Sequence, residues 1–173
     1  AKHIVHHFPE RGFRGKGMVI SVDKFTTVKM YDLVQMYWSE RIKELNRQIT
    51  QTENLEEKAR LKDIVDYMRS VEMAVVISST NTKEEEEEFA KAGLNIRPHW
   101  ERMAKRDEDG ADIEDNFKNP DHPFALVFVC AMWLTGFDAP KVSTIYLDKP
   151  MKDHTLMQTI ARANPVFPRK ECG

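Results

Sequence analysis

The chain has 173 residues, 41% hydrophobic and 31% charged, with a formal net charge of −2 at pH 7. This length accommodates one domain, or one domain with an insertion, and is sufficient to bury a core. The charge does not favour nucleic acid or membrane binding in general, because DNA-binding surfaces are usually basic. Cys130 and Cys172 cannot form a disulfide framework and indicate a reducing compartment. With no membrane-length apolar stretch and no signal segment, we expect a cytoplasmic protein without a membrane partner.

The first sixteen residues are markedly basic, which is typical of a solvated terminus and leaves open a local basic patch. The segment GFRGKG, residues 12–17, superficially resembles a phosphate-binding loop. Only two residues separate its first two glycines, and Lys16 is followed by Gly17 rather than by serine or threonine, so it is not a Walker A loop. The N-terminal histidines, His122 and His154 lack the spacing of a zinc site, and we predict no metal site.

Four short apolar runs are rich in β-branched residues and largely unbroken. Continuous runs of this kind favour strands buried on both faces, which occur in parallel sheets covered by helices. The sequence therefore predicts an α/β fold. The predicted strands are MVISV (18–22), MAVVIS (73–78), ALVFVC (125–130) and TIYLD (144–148).

A helical pattern follows the first strand and extends further than a crossover connection requires. Apolar residues recur at helical spacing up to Ile49, and polar residues then interrupt them. Asn54 and Glu57 have the spacing of a capping box, which predicts a second helix. We interpret residues of about 38–70 as a helical hairpin inserted into the α/β domain.

After the second strand, Thr82 and Glu85 again have capping-box spacing, and Gly93 is placed to end the helix. The five glutamates at 84–88 fit a solvated face near the helix N-terminus. Residues 95–121 are polar and charged, and a flexible loop is predicted there. The DEDG sequence at 107–110 is not the acidic motif of a P-loop ATPase, because no apolar strand precedes it.

The third strand is followed by a short loop that contains the sequence GFDAP, residues 136–140. Loops at the carboxyl ends of parallel strands lie where open α/β sheets bind ligands. Gly136 permits unusual backbone angles and Pro140 stiffens the exit, so that Asp138 between them becomes a positioned acceptor, suited to a ribose hydroxyl. A purely structural turn explains the same residues equally well.

The fourth strand is followed by a predicted helix over 155–164. Gln158 and Arg162 are four residues apart and therefore lie on one helical face. A guanidinium beside an amide suits a phosphate-bearing ligand, since arginine stays charged and matches phosphate geometry. A surface helix with incidental polar residues is the alternative.

Taken together, these stretches resemble known motifs. GFDAP after an apolar strand resembles motif V of superfamily-two helicases, Gly-x-Asp-x-Pro, and QTIARAN resembles motif VI, with alanine for its first glycine. The longer string from Phe128 to Asn164 is similar to the motor of the restriction (R) subunit of type I restriction-modification enzymes. GMVISVDKFTTVKMYD, residues 17–32, resembles that family's motif IV strand and helix.

The resemblance implies that residues 1–173 form a single RecA-like lobe, the second of the two in an ATP-dependent double-stranded DNA translocase. The first lobe would supply the phosphate loop and acidic motif for ATP with Mg²⁺, because this chain has neither. Partners would include that lobe, DNA, and the methyltransferase and specificity subunits. By the resemblance, Gly136 and Asp138 contact nucleotide and Thr135 contacts DNA. Gln158 and Arg162 would face the ATP phosphates, and Arg162 would be the catalytic residue.

Pro165 departs from the family pattern, which has a second arginine there. Proline cannot donate a hydrogen bond to phosphate, and it disfavours helical geometry at Asn164. The alternative hypothesis is therefore a catalytically inactive RecA-like module whose hairpin binds a protein partner. A Rossmann-type nucleotide enzyme is less suited, since no Gly-x-Gly-x-x-Gly follows a strand.

Overall fold

The computed structural model describes residues 1–78, 80–130 and 142–148. Within them, helices and strands alternate in the pattern of an α/β domain. The elements are α1 (Lys2–Glu10), β1 (Lys16–Ser21), α2 (Lys24–Gln51), α3 (Leu55–Ser70), β2 (Glu72–Val76), α4 (Lys83–Lys91), α5 (Arg97–Ala104), α6 (Ile113–Lys118), β3 (Phe124–Val129) and β4 (Val142–Asp148). Each described strand lies within two residues of its predicted position.

The four strands form one sheet in the order β2-β3-β1-β4. Every pairing is parallel: Val19 of β1 lies opposite Phe128 of β3 on one side and Tyr146 of β4 on the other. Strand β1 is buried along its whole length and β3 nearly so. Strand β4, an outermost strand of the sheet, is mostly half-buried. The sheet is the mostly parallel one expected for a RecA-like α/β fold, so the predicted fold class is confirmed.

Each face of the sheet contributes to a separate core cluster. Helices α1, α2 and α3 pack on the face that carries Val19 and Phe128, and α4 adds Phe89 to the same cluster. On the opposite face, α6 places Phe117 against Phe124 with ring centroids 5.0 Å apart. Alternation of side chains along each strand produces this two-sided core, which is why the apolar runs are continuous.

Helices α2 and α3 form an antiparallel pair over the sheet. The indole nitrogen of Trp38 donates to the backbone oxygen of Met68 at 2.9 Å, which joins the two helices within the core. Helix α2 runs without a break from Lys24 to Gln51, so the predicted hairpin boundary near residue 38 lies inside it. The interpretation of this pair as an insertion into the α/β domain stays a prediction.

The predicted capping boxes are half formed. The side chain of Asn54 accepts hydrogen bonds from the backbone of Glu56 and Glu57, and Thr82 accepts one from Glu85. The reciprocal bonds are replaced, because the Glu57 carboxylate binds Arg60 and that of Glu85 binds Lys24 and Thr80. Helix α4 ends as predicted, with Gly93 just beyond it at φ +74°.

The prediction of a flexible loop over 95–121 is wrong. Helices α5 and α6 occupy much of it, and a hydrogen-bonded turn joins them. In that turn Gly110 has φ +84°, and the amide of Asn116 donates to the Asp107 carboxylate at 2.6 Å. Asp112 then forms a complete capping box with Asp115. The acidic residues thus satisfy backbone donors at the start of a helix, a role that polar composition concealed.

The solvated N-terminus is also a wrong prediction. Residues 2–10 form α1, whose apolar side chains Ile4, Val5 and Phe8 are at most 5% exposed. The spacing of these three residues fits one helical face, a signal that the surrounding basic residues masked. Gly17 is required beneath this helix, because a Cβ there would collide with the Phe8 ring and lie 2.9 Å from Leu126.

Candidate functional site

The carboxyl ends of β3, β1 and β4 lie side by side. Strand β1 ends at Ser21, β3 at Val129 and β4 at Asp148, and Ser21 pairs directly with Asp148. Because all three strands are parallel, the chain leaves β3 and β4 at the same sheet edge, on either side of β1. Ligands of open α/β sheets bind at such an edge. The segments that resemble motifs V and VI follow these two strands.

The predicted site residues themselves lie outside the described part of the chain. This applies to Thr135, Gly136, Asp138, Gln158 and Arg162. Pro165 lies outside it as well. Their proposed roles therefore remain predictions, and the described residues define only the edge from which their segments begin.

The amino end of α2 lies at this edge, directly after β1. The Asp23 carboxylate accepts from the backbone of Thr26 at 2.7 Å, and the Thr27 hydroxyl donates to the backbone oxygen of Asp23 at 2.7 Å. These bonds fix the turn from strand to helix. A helix of 28 residues begins here, and the Asp23 carboxylate caps its amino end, where the helix dipole favours negative charge.

Helix α4 begins at the same edge and is tied to α2 through Glu85. One Glu85 oxygen lies 2.8 Å from the Lys24 ammonium, and the other accepts from the Thr80 backbone at 2.9 Å. The Glu85 side chain is only 11% exposed. This carboxylate therefore holds together the turns that follow β1 and β2. From the sequence, Glu85 is predicted only as part of a local capping box. Its contact with Lys24, 61 positions away, has no sequence pattern that would predict it.

Two further groups lie at this edge. The Ser21 hydroxyl is fully buried and has no hydrogen-bond partner among the described residues. The Cys130 thiol lies 3.8 Å from the backbone oxygen of Val22, at the point where the chain leaves β3.

Across 1–78, 80–130 and 142–148, no three histidine, cysteine or acidic side chains come together as a metal site. None of the helices described here combines the length and apolar character needed to cross a bilayer.

Residues 18–173 match the family described as "Type I restriction enzyme subunit R domain 3". The chain is 31% identical over its whole length to a putative type I restriction enzyme MjaIXP endonuclease subunit of Methanocaldococcus jannaschii, covering 13% of that protein. It is 49% identical over 73 residues, 42% of the chain, to the type I restriction enzyme HindI endonuclease subunit of Haemophilus influenzae, covering 7% of it. The chain therefore spans only a small fraction of these relatives. The family match covers most of the chain, and the chain has the parallel sheet that its apolar runs predicted. The chain therefore belongs to the domain 3 family of the type I restriction enzyme R subunit.

Proposed function

We propose that the chain is the second RecA-like motor lobe of a type I restriction enzyme R subunit. In the parent enzyme this lobe contributes nucleotide-sensing and DNA-contacting residues to an ATP-dependent translocase of double-stranded DNA. A first lobe supplies the phosphate loop and the acidic motif. Methyltransferase and specificity subunits complete the assembly, and the isolated lobe hydrolyses nothing.

The arrangement of the sheet edge carries this proposal. Strands β3 and β4 flank β1, so the segments beginning at residues 131 and 149 start from the same edge. Residues far apart in sequence, such as Asp138 and Arg162, would then be within reach of one ligand. If β3 and β4 ended at opposite ends of the sheet, a site shared by the two segments would be disfavoured.

The described residues at this edge fit an anionic ligand such as ATP. The amino end of the 28-residue helix α2 lies at this edge, where the helix dipole favours negative charge beside the capping carboxylate of Asp23. When bound, ATP supplies the phosphoryl group whose transfer to water drives movement. Gln158 and Arg162 would hold its phosphates, with Arg162 stabilising developing charge. Gly136 and Asp138 would sense the nucleotide, and Thr135 would contact a DNA phosphate.

The experiment uses the full R subunit containing this chain, assembled with its methyltransferase and specificity subunits. DNA-stimulated ATP hydrolysis and displacement of a triplex-forming oligonucleotide are measured for the parent, Arg162→Ala and Asp138→Ala. Removing a phosphate-stabilising arginine should lower ATP turnover by about 10³-fold or more. Lys62→Ala, at an exposed position of α3, is the matched control and should leave both activities unchanged.

Equal rates for the parent and Arg162→Ala would overturn the motor proposal. That result would favour the inactive interaction module, in which the α2 and α3 pair binds a partner. Such a partner would bind at the loop between the two helices, where Leu55 is 81% exposed. ATP hydrolysis by the isolated chain would contradict the assignment of the phosphate loop to another lobe.

A further inference from the structure

Helix α1 brings two histidines face to face on its exposed side. The rings of His3 and His7 lie with centroids 5.3 Å apart and an interplanar angle of 16°. Residues four apart share one face of a helix, so this arrangement follows from the helix itself. Both side chains are exposed, which leaves them accessible to a ligand from solvent. The pair precedes residue 18, where the family match begins.

Strand β4 fixes the orientation of one of these rings. The Nδ1 atom of His7 lies 2.8 Å from the Tyr146 hydroxyl, and the Tyr146 ring meets both imidazoles nearly edge-on. In the tautomer in which Nδ1 of His7 carries the proton and donates to the Tyr146 oxygen, Nε2 presents its lone pair to a metal ion. Histidines that bind metal ions are commonly oriented in this way through their second nitrogen.

Arg11 follows His7 by one helical turn. Burial, followed by the nearby His3 and Arg11, lowers the pKa of His7 below its usual range. Arg11 itself is engaged, since its guanidinium packs 3.7 Å from the Phe8 ring centroid and donates to the Thr144 hydroxyl at 2.6 Å.

We propose that His3 and His7 form a two-imidazole chelate for a divalent transition-metal ion, with Zn²⁺ as its test case. Two histidines four residues apart on one helical face are an established zinc-binding arrangement. Imidazole suits Zn²⁺, and water completes its four-coordinate shell. A bound metal ion would join two successive turns of α1 beside Tyr146 of β4. The sequence analysis predicted no zinc site on the grounds of histidine spacing, whereas helix α1 places His3 and His7 on one face. This site is independent of the proposed motor function.

The test is calorimetric titration of Zn²⁺ at pH 7.5 into the 173-residue chain. A short extension ahead of Ala1 keeps a free amine from acting as a ligand. One ion should bind per chain, and His3→Ala and His7→Ala should each weaken binding by at least about tenfold. His6→Ala is the matched control: His6 lies on the same helix but lines the groove with Tyr37 and Glu40 of α2, and its loss should leave the affinity unchanged.

A second measurement separates ligation from folding. His7→Gln retains the helix-forming backbone but removes the imidazole, and its far-ultraviolet circular dichroism should match that of the parent. Zn²⁺ should raise the melting temperature of the parent and His6→Ala, because a ligand of the folded state stabilises it, and should not raise that of His7→Gln. Equal losses of affinity in all the histidine variants, or undiminished binding by His3→Ala and His7→Ala, would overturn the proposed chelate.

Discussion

The Lys24 ammonium lies 2.8 Å from a carboxylate oxygen of Glu85, and this ion pair joins the first turn of α2 to the first turns of α4. The two residues are 61 positions apart in the chain. Side-chain exposures of 33% and 11% place the pair between a surface and a buried salt bridge. It therefore fixes the relative position of two loops at the edge where a ligand is expected.

Glu85→Gln should destabilise the chain by about 1–2 kcal/mol, less than a fully buried charge pair, because part of the interaction is screened by solvent. The substitution removes the ionic partner of Lys24 and weakens the bonds from Thr80. Urea unfolding measures the change in the free energy of unfolding. Glu84→Gln, at the exposed neighbouring position, is the control. A similar small effect for both variants would show that the Lys24 pair contributes little.

Gly17→Ala should destabilise the fold by about 1–3 kcal/mol through overpacking. The added Cβ would meet the Phe8 ring and Leu126, both in the interior of the domain. Gly12→Ala provides the control, since a Cβ there meets nothing within 4 Å. Thermal melting compares the two variants.

A double substitution identifies the cause of that effect. Phe8→Leu shortens the side chain that the new methyl group would strike, so Gly17→Ala should cost less in this background. Additive losses in the double variant would mean that the Phe8 contact is not what Gly17 accommodates.

Loss of His99 should reduce the acid sensitivity of the fold. His99 is only 8% exposed, and burial lowers its pKa below 6.5. The unfolded chain therefore binds a proton more readily, so the contribution of His99 to stability is present above pH 6.5 and is lost as pH falls through the folded pKa. His99→Gln should show a smaller drop in urea midpoint between pH 7.5 and pH 5.5 than the parent. An unchanged drop would exclude His99 as a contributor.

The sequence predicted the sheet well because buried parallel strands have an unambiguous pattern. Val19 and Phe128 belong to continuous apolar runs, and pairing across the sheet adds no further requirement on sequence. Helices α5 and α6 were missed because each is short and polar, with few apolar residues to show a period, and α1 was missed because its basic residues masked an apolar face. At the candidate site, the role of Glu85 was out of reach because its partner Lys24 is distant in sequence. Local spacing predicts caps, whereas contacts between loops depend on how the helices pack.

Asp112 illustrates a contact that local spacing could have predicted. Its carboxylate accepts from the backbone of Glu114 and Asp115, and these bonds lower its pKa. Asp112→Ala should cost about 1 kcal/mol of stability through loss of the cap. Asp112→Asn keeps a capping acceptor while removing the charge, and its urea midpoint should stay close to that of the parent. Equal losses in both variants would assign the effect to charge instead of capping.

Pro165→Arg should raise the ATP turnover of the assembled parent enzyme. Proline stands where the resembled motif carries its second arginine, and an arginine that stabilises transferring phosphate is worth about 10³-fold or more in rate. The expected gain, on the proposed motor function, is at least about tenfold in DNA-stimulated ATP hydrolysis. Pro165→Ala is the matched control, because it removes the helix-breaking ring without adding a guanidinium. A gain in both variants would assign the effect to helix geometry. No gain in either would mean that this position does not limit turnover, and Arg169→Ala and Lys170→Ala in the parent would then show whether one of those side chains already supplies the charge.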